Sequence, residues 1–396
     1  MTARTIDDAQ RRARLAIRHR LVPSERTADP VAITESLVAL HSSDPVTVHL
    51  SAAVRMPTPQ LGPVEDALYE DRTLVRHHSM RRTLWVFGRD TANVAHHAAT
   101  LDVLRQQQKI LDKALVAAGV PDPAAWFDDA AAAVLDVLAD GPMTARDLGQ
   151  RLPALAELRL DIGRGPLAVP QPGHTRVLLV LGFAGRVLRA RPTGTWINGQ
   201  YRWATADAWL PGGLGEPLEP RAAAAELARR YLAAFGPATR TDLAWWAKWT
   251  ATATARALAD VGAVEVALDG PEPGWVLPDD VDPVPDPGPS AVLLPGLDPS
   301  TMGWKQRAFH LDDALVPHLF DRNGNGGPAI WVDGRIVGGW VQRKDGTIRT
   351  ELLADAEIGA EHRAEIDRAA HELESLLGDV RFTVRFPAPM QARLLA

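Results

Sequence analysis

Apolar positions at helical spacing dominate the beginning of the chain. Ile33, Leu37, Val38 and Leu40 recur at the three- and four-residue intervals of an amphipathic helix. Together with their surroundings they predict four helices in the first 70 residues, over 7–20, 30–41, 46–56 and 61–69. Two short strands follow, Thr73–Arg76 and Thr83–Phe87, on either side of a basic tip. Helices followed by a hairpin predict a winged-helix module at the start of the chain.

An eight-residue pattern occurs twice in the sequence. Residues 141–148 and 236–243 both read Gly-Pro-x-Thr-x-x-Asp-Leu, and each follows an Ala/Leu-rich helical stretch. Thr caps a helix well, and an Asp three positions later meets free backbone N–H groups at the positive end of the helix dipole. Helix, sharp turn and capped helix predict a helix-turn-helix in each copy, which favours tandem winged-helix modules and a nucleic-acid partner. The predicted caps are Thr144 with Asp147 and Thr239 with Asp242.

These elements predict an α+β protein: three tandem winged-helix modules plus a C-terminal β-rich α+β domain. A segment rich in proline and acidic residues, 270–290, forms a stiff linker before the last domain. In the second module we expect a loop over 155–173, a recognition-type helix over 174–184 and strands near 186–191 and 200–204. The last domain holds strands from Ala291 onward, a helix over 359–377 and a strand over 380–386. The expected domains are 1–120, with a candidate catalytic turn, 121–215, 216–285, with the linker, and 286–396.

Charge and composition narrow the class of protein. The net charge of −6 argues against nonspecific coating of DNA, but residues 1–110 hold 15 Lys/Arg against 12 Asp/Glu, a local excess of +3. The chain has no cysteine, which excludes disulfides, thiolate metal sites and cysteine nucleophiles. Without a long apolar run or an apolar N-terminal core, no membrane span and no secretory leader are expected, and a cytoplasmic location follows.

Common catalytic motifs are missing from the sequence. We find no phosphate-binding loop that ends in Lys-Ser/Thr, no Gly-x-Ser-x-Gly elbow and no His-Glu-x-x-His pair. The adjacent pairs His77-His78 and His96-His97 point their rings apart on a regular element, which is poor geometry for one metal ion. We therefore expect neither a metal nor a cofactor.

A polar turn between the second and third predicted helices is the best candidate site. Residues 37–45 read Leu-Val-Ala-Leu-His-Ser-Ser-Asp-Pro. Four polar residues therefore separate the apolar end of one predicted helix from Pro45, which precedes the next. In one interpretation Ser43 or Asp44 caps the next helix and His41 completes the previous one. In the other, His41 and Ser43 project together from the turn and hold a water molecule. The pattern alone leaves both open.

A series of motifs across residues 8–390 resembles a known family. The chain is similar to the bacterial winged-helix DNA glycosylases, which include the azinomycin-resistance enzyme. The motifs are the Leu37–Pro45 turn, Met80-Arg-Arg-Thr-Leu-Trp85, the two repeats with Trp245-Trp246 after the second, Leu294-Pro-Gly-Leu-Asp298, Gly303-Trp-Lys-Gln-Arg307, and Val332-Asp-Gly-Arg-Ile-Val-Gly-Gly-Trp340.

The resemblance implies a fold and an activity. It implies that the three winged helices and the C-terminal domain form a C shape around duplex DNA. It also implies hydrolysis of the N-glycosidic bond of alkylated purines, including bulky natural-product adducts and some crosslinks, in repair or antibiotic self-resistance. It places His41 and Ser43 on the two catalytic positions, where members typically carry Gln-x-Gln or a Gln/Asp variant.

His-Ser-Ser at this position suggests a particular chemistry. A purine alkylated at N7 or N3 leaves as a neutral base, so the enzyme mainly has to orient water toward the sugar. Neutral His41 can orient water and accept a proton, and Ser43 can supply a second hydrogen bond, which predicts activity falling below about pH 6. The first lysine is Lys109, which favours a monofunctional enzyme without Schiff-base lyase chemistry. The alternative is a catalytically silent winged-helix protein that binds DNA as a regulator or damage sensor.

Several basic and polar residues are candidates for contacts with double-stranded DNA, which a monomer is expected to bind. A solvated turn remains the alternative for the hairpin tip and for the glycine-rich segment after Asp321. The Trp245–Trp249 cluster is expected to be core rather than a base-stacking platform. The candidate contacts are Arg76, Arg81, Arg82 and Thr83 at the tip, Trp304, Lys305 and Arg307, and Arg322, Asn323 and Asn325.

Overall fold

The N-terminal part of the chain combines four helices with a three-stranded antiparallel sheet. The computed structural model describes residues 4–163, 169–353 and 358–396. The sheet order is β1-β3-β2, so the short first strand pairs with the far strand of the hairpin. The elements are α1 (Asp8–Arg18), α2 (Pro30–Ser36), β1 (Leu40–His41), α3 (Pro45–Ala53), α4 (Gly62–Tyr69), β2 (Leu74–His78) and β3 (Leu84–Gly88).

The predicted helix over 30–41 is too long. It ends at Ser36, because Val38 adopts a left-handed conformation with a φ of 62°, which a β-branched residue takes only at a break in regular structure. The chain then enters β1, so His41 lies on a strand. Asp44 starts the next helix, where its side chain accepts the Val46 N–H at 3.1 Å.

The middle of the chain is mostly helical and contains the first repeat. Thr144 accepts the Asp147 N–H at 3.1 Å, which confirms the predicted cap. The elements are α5 (Arg89–Ala95), a π-helical turn (His96–Thr100), α6 (Leu101–Ala117), α7 (Pro123–Ala139), α8 (Ala145–Arg151), α9 (Pro153–Glu157), β4 (Arg159–Ile162), β5 (Val169–Pro172), α10 (Gly173–Phe183), β6 (Val187–Pro192), β7 (Tyr201–Thr205) and α11 (Ala206–Trp209).

The predicted loop over 155–173 is wrong where the structure describes it. This segment contains α9 and the hairpin β4–β5, while 164–168 lie outside the described residues. Leu160 is fully buried against α6 and α10, which anchors the hairpin. The prolines of β5 are tolerated because a two-stranded sheet has only edge strands.

The second repeat forms the complete reciprocal cap. Thr239 accepts the Asp242 N–H at 3.1 Å, and Asp242 accepts the Thr239 N–H at 3.0 Å. The strand that carries Thr239 belongs to a small sheet of order β8-β10-β9. The elements are α12 (Pro220–Phe235), β8 (Ala238–Thr239), α13 (Arg240–Ala247), α14 (Ala251–Asp260), β9 (Val264–Val266) and β10 (Gly274–Val276).

A four-stranded antiparallel sheet of order β11-β12-β13-β14 organises the C-terminal part, and α17 packs against it. The predicted strand over 380–386 is wrong. Two of its backbone N–H groups are taken by side chains, since Phe382 donates to Gln342 and Arg385 donates to Asp44, both at 3.1 Å. The elements are β11 (Ala291–Leu294), α15 (Pro299–Met302), α16 (Val316–Leu319), β12 (Ala329–Val332), β13 (Arg335–Gln342), β14 (Ile348–Leu352), α17 (Ala360–Leu377) and α18 (Pro389–Leu395).

Part of the positive charge of the first quarter is paired inside the protein. In the basic helix α1, Arg14 and Arg18 pair with Asp280 of the acidic linker, so this helix does not offer them to DNA. Arg55 forms a bidentate pair with Asp298, at 2.8 and 2.9 Å, and both side chains are fully buried. The local charge excess of residues 1–110 therefore does not mark a DNA-binding surface at these three arginines.

Within 4–163, 169–353 and 358–396, no helix combines the length and the apolar character needed to cross a bilayer.

Candidate active site

His41 is the first residue of the polar turn, and its side chain is buried. It pairs with Trp85 across the β1–β3 register, and the two ring centroids are 4.7 Å apart. The residue is 6% exposed, and its Nδ1 accepts the Ser43 N–H at 3.3 Å. An accepting Nδ1 carries no proton, so the neutral ring carries its proton on Nε2 and presents an N–H donor there.

Burial keeps this ring neutral. Removal from water and, as the smaller cause, the nearby Arg81 guanidinium together lower the pKa of His41 to about 3. The ring therefore does not titrate between pH 5 and 8. This environment argues against the predicted proton-accepting role of His41, and the predicted loss of activity below pH 6 stays a prediction for the excision assay to test.

The rest of the turn is held by a residue from the C-terminal end of the chain. Ser43 is half-buried, and its carbonyl accepts a hydrogen bond from Arg385 Nη1 at 3.0 Å. The Asp44 carboxylate caps α3 and also accepts the Arg385 N–H at 3.1 Å. Burial raises the pKa of Asp44. Arg385 was not predicted, because it lies more than 300 residues away in a segment that carries no motif.

Arg76 is a structural partner of the turn and not a surface contact. It is 2% exposed in β2, where Nε donates to the Ser42 hydroxyl at 2.8 Å and Nη1 donates to the Tyr69 hydroxyl. Its guanidinium also lies 4.3 Å from the ring centroid of Tyr201. The predicted contact between Arg76 and DNA is therefore wrong, because this side chain is buried and pairs with Ser42 and Tyr69 inside the protein.

The hairpin tip is shorter than predicted and starts after His78. Arg81 and Arg82 both adopt left-handed backbone conformations, with φ of 58° and 63°. The Arg81 guanidinium is half-buried and lies 4.1 Å from the ring centroid of Trp245, while Arg82 is exposed. Thr83 closes the tip by donating its hydroxyl hydrogen to the Met80 carbonyl at 3.0 Å. The Arg81 charge at this tip acts on His41 and lowers the pKa of its ring.

The segment 304–307 divides into a buried and an accessible part. Trp304 is 2% exposed and donates its indole N–H to the Phe235 carbonyl at 3.0 Å, so the predicted contact between Trp304 and DNA is wrong. Lys305 is exposed. Arg307 is half-buried, donates to the Trp304 carbonyl at 2.7 Å, and keeps its positive charge although burial lowers its pKa to about 10.

The glycine-rich segment after Asp321 is a turn. The Asp321 carboxylate accepts the N–H groups of Asn323 and Asn325, at 2.8 and 2.9 Å, and also the Asn325 side-chain amide at 2.9 Å. Arg322 and Asn323 are exposed. The predicted turn is confirmed, and the Asn325 amide is already used inside it.

The turn offers hydrogen bonds in a cationic environment. A neutral imidazole N–H, the Ser43 hydroxyl and the flanking cations Arg81 and Arg385 can hold a water molecule beside a polyanion. In the ranges that the structure describes, no three His, Asp or Glu side chains come close enough together to hold a metal ion.

Comparison with known proteins identifies the fold and the family of the chain. The chain resembles the solved DNA glycosylase AlkZ of Streptomyces sahachiroi, with a TM-score of 0.75 and 20% sequence identity over 96% of this chain and 99% of that one. No curated protein sequence matches at a significant level. The sequence profile of the AlkZ-like DNA glycosylases matches residues 34–376. The chain therefore belongs to the AlkZ-like family of DNA glycosylases, and DNA is the substrate that this membership implies.

Proposed function

We propose that this protein is a monofunctional DNA glycosylase that hydrolyses the N-glycosidic bond of purines alkylated at N7 or N3. Its substrates include bulky natural-product adducts and crosslinks, and its role is DNA repair or self-resistance. The observation that carries the proposal is the turn in which His41 accepts the Ser43 N–H and is affected by the Arg81 charge. The chain also belongs to a family of DNA glycosylases.

The proposed architecture is three tandem winged helices and a C-terminal α+β domain, arranged as a C around duplex DNA and acting as a monomer. Support comes from three groups of helices that each end in a small antiparallel pair, β2–β3, β6–β7 and β9–β10. The divisions at 1–120, 121–215, 216–285 and 286–396 follow these groups.

The proposed mechanism uses His41 as a donor and not as a base. The C1′–N bond breaks, its electron pair leaves with the cationic alkylpurine as a neutral base, and the sugar develops oxocarbenium character. A water molecule accepts a hydrogen bond from His41 Nε2–H and donates one to the Ser43 hydroxyl, which leaves a lone pair free to attack C1′. The surplus proton passes to bulk water. A neutral imidazole suits this site because a protonated ring would repel both the alkylpurine cation and the oxocarbenium.

A monofunctional enzyme follows from the distribution of amines. No lysine precedes Lys109, so the turn has no neighbouring amine in sequence to form a Schiff base. Lys305 is the lysine to test, because its segment comes close to Trp245 and Arg81. Borohydride should therefore trap no covalent complex between the protein and DNA during excision, and trapping that disappears in Lys305→Ala would contradict the assignment.

The proposed DNA contacts combine two separate segments. Arg81, Arg82 and Thr83 at the hairpin tip and Lys305 and Arg307 provide cations and a hydroxyl near the turn, and phosphate neutralisation by such groups drives DNA binding. The exposed turn with Arg322, Asn323 and Asn325 adds a second place where backbone can approach the DNA closely.

The experiment is excision from a duplex that carries one 7-methylguanine. We expect free 7-methylguanine, measured by mass spectrometry, and an alkali-labile site, with no release from an undamaged duplex. His41→Ala should lower the rate by about 10² to 10³, as loss of a preorganised hydrogen-bond donor does. His371→Ala removes an exposed histidine on α17 and is the matched control, with an unchanged rate. Protection of a particular DNA sequence without base release would instead support the silent regulator.

A further inference from the structure

Trp245 and Trp246 follow the second repeat on α13, and their surroundings differ. Trp246 is 2% exposed and packs against Tyr231, with ring centroids 5.0 Å apart, so its predicted core position is confirmed. Trp245 is half-buried and faces two guanidinium groups instead. Arg81 lies 4.1 Å and Arg307 5.8 Å from its ring centroid, both within the range of cation–π attraction.

The two cations come from segments that are far apart in the chain. Arg81 belongs to the β2–β3 hairpin tip, and Arg307 belongs to the segment after α15. Burial lowers the pKa of Arg81, and no acidic group offsets this within the described residues. The indole face is therefore the partner that holds Arg81. Unlike a carboxylate, it leaves the positive charge unneutralised.

The support of Trp245 is rigid. Asp242, one helical turn earlier on α13, accepts the N–H groups of Lys305 and Gln306 at 3.0 and 2.8 Å, in addition to its capping bonds. Glu272 accepts the Gln306 side-chain amide at 2.6 Å. These bonds fix the 305–307 segment to the start of α13, so Arg307 and the Trp245 indole are held close to each other.

The backbone at the hairpin tip also needs external support. Arg81 and Arg82 are consecutive non-glycine residues with positive φ, a conformation that L-residues adopt at a free-energy cost. Such strain persists where surrounding contacts hold it, and the described contact on Arg81 is the Trp245 ring. Removal of the indole should free the Arg81 side chain to move into solvent.

We infer that Trp245 is a positioning residue that holds the Arg81 guanidinium for a phosphate group of the bound DNA strand, beside the His41 turn. The inference rests on the proposed function. It assigns to helix α13 a role in substrate binding in addition to the core packing of Trp246.

Binding as a function of salt tests this role. The variants are Arg81→Gln, Trp245→Leu, Trp245→Phe and the double variant Arg81→Gln/Trp245→Leu. The probe is a fluorescent duplex with one 7-methylguanine whose sugar carries a 2′-fluoro group, which slows base loss. The dissociation constant is measured by anisotropy between about 50 and 300 mM KCl, where each lost phosphate contact lowers the slope of log K against log salt by about 0.9.

Arg81→Gln should lower the slope by about 0.9, the value for one lost phosphate contact. Trp245→Leu should reproduce most of that loss. Trp245→Phe keeps an aromatic face and should restore the slope. The double variant should bind no more weakly than Arg81→Gln, because both changes remove the same contact. Trp249→Phe is the control on the same stretch of chain, since its indole donates to the Ala98 carbonyl and does not face Arg81.

Three results would overturn the inference. These are a wild-type slope in Trp245→Leu, additive losses in the double variant, and weaker binding by the same factor at every salt concentration, which would indicate base stacking on the indole. Failure of the proposed function is separate. If no variant or wild-type protein releases a base but the slopes behave as expected, the positioning role stands and the glycosylase assignment to alkylpurines falls.

Discussion

The pH dependence of base excision is a sensitive test of the His41 environment. The perturbation is a change from pH 8 to pH 5 under single-turnover conditions, in the wild type and in His41→Gln. The relevant structural facts are the packing of the imidazole against Trp85, its acceptance of the Ser43 N–H and its proximity to Arg81. Burial of the ring, the accepted N–H group and the neighbouring cation all favour the neutral imidazole.

The expected magnitude follows from the pKa of His41. With a pKa of about 3, about 1% of the rings are protonated at pH 5, so the excision rate should be flat from pH 8 to 5. A histidine with the ordinary value near 6.5 would be about 97% protonated at pH 5, and a rate that needs the neutral ring would fall about 30-fold. The two cases differ by more than the error of any rate measurement.

The assay measures release of 7-methylguanine from a duplex with enzyme in excess, corrected for spontaneous loss at each pH. Far-UV circular dichroism at pH 5 confirms that the protein is still folded. His41→Gln retains an N–H donor that does not titrate, so it should keep most of the activity with the same flat profile. An acid limb near pH 6.5 in the wild type that disappears in His41→Gln would refute the buried, donating imidazole.

Three further predictions concern stability and the support of the turn. Arg55→Met leaves the Asp298 carboxylate buried without its partner and should lower the free energy of unfolding by about 3 to 5 kcal/mol in urea titrations, whereas an unchanged midpoint would exclude a structural role of the pair. Arg76→Met should slow excision by about 10- to 100-fold, because Ser42 loses the donor that orients the turn. The salt dependence of DNA binding should stay at the wild-type value. A lower slope of log K against log salt would show that Arg76 contacts a phosphate. Acid should destabilise the fold, because the buried histidines keep lowered pKa values when folded while the unfolded chain takes up protons below about pH 6.5; each contributes up to about 1.4 kcal/mol per pH unit, and equal or greater stability at pH 5.5 than at pH 7 would contradict this.

Local features of this protein were predictable because they depend on neighbouring residues. The caps at Thr144 and Thr239 form between residues three positions apart, and the Asp44 cap forms within two. The repeated Gly-Pro pattern therefore predicted two capped helices without tertiary information. The polar turn at 41–44 was recognised for the same reason, since its residue types mark the end of one element and the start of another.

Family membership was also accessible from the sequence, because the order of several short motifs is specific even where each motif is modest. The loop over 155–173 was predicted wrongly from its prolines and glycines, and the strand over 380–386 from its alternation. Composition does not predict that Leu160 of the β4–β5 hairpin is buried. It also does not predict whether an extended segment such as 380–386 pairs with another strand.

The tertiary structure decided which members of each motif are accessible. Arg76 and Arg81 belong to the same basic stretch, yet one lies inside against Ser42 and the other on Trp245, and Trp304 is buried beside the exposed Lys305. It also decided that Arg385 supports the turn and that burial keeps His41 neutral. These outcomes depend on contacts between residues far apart in the chain. The burial of a side chain and the charges around it are set by residues that pack against it from elsewhere in the chain. A sequence pattern shows only the local preference for a helix, a strand or a turn.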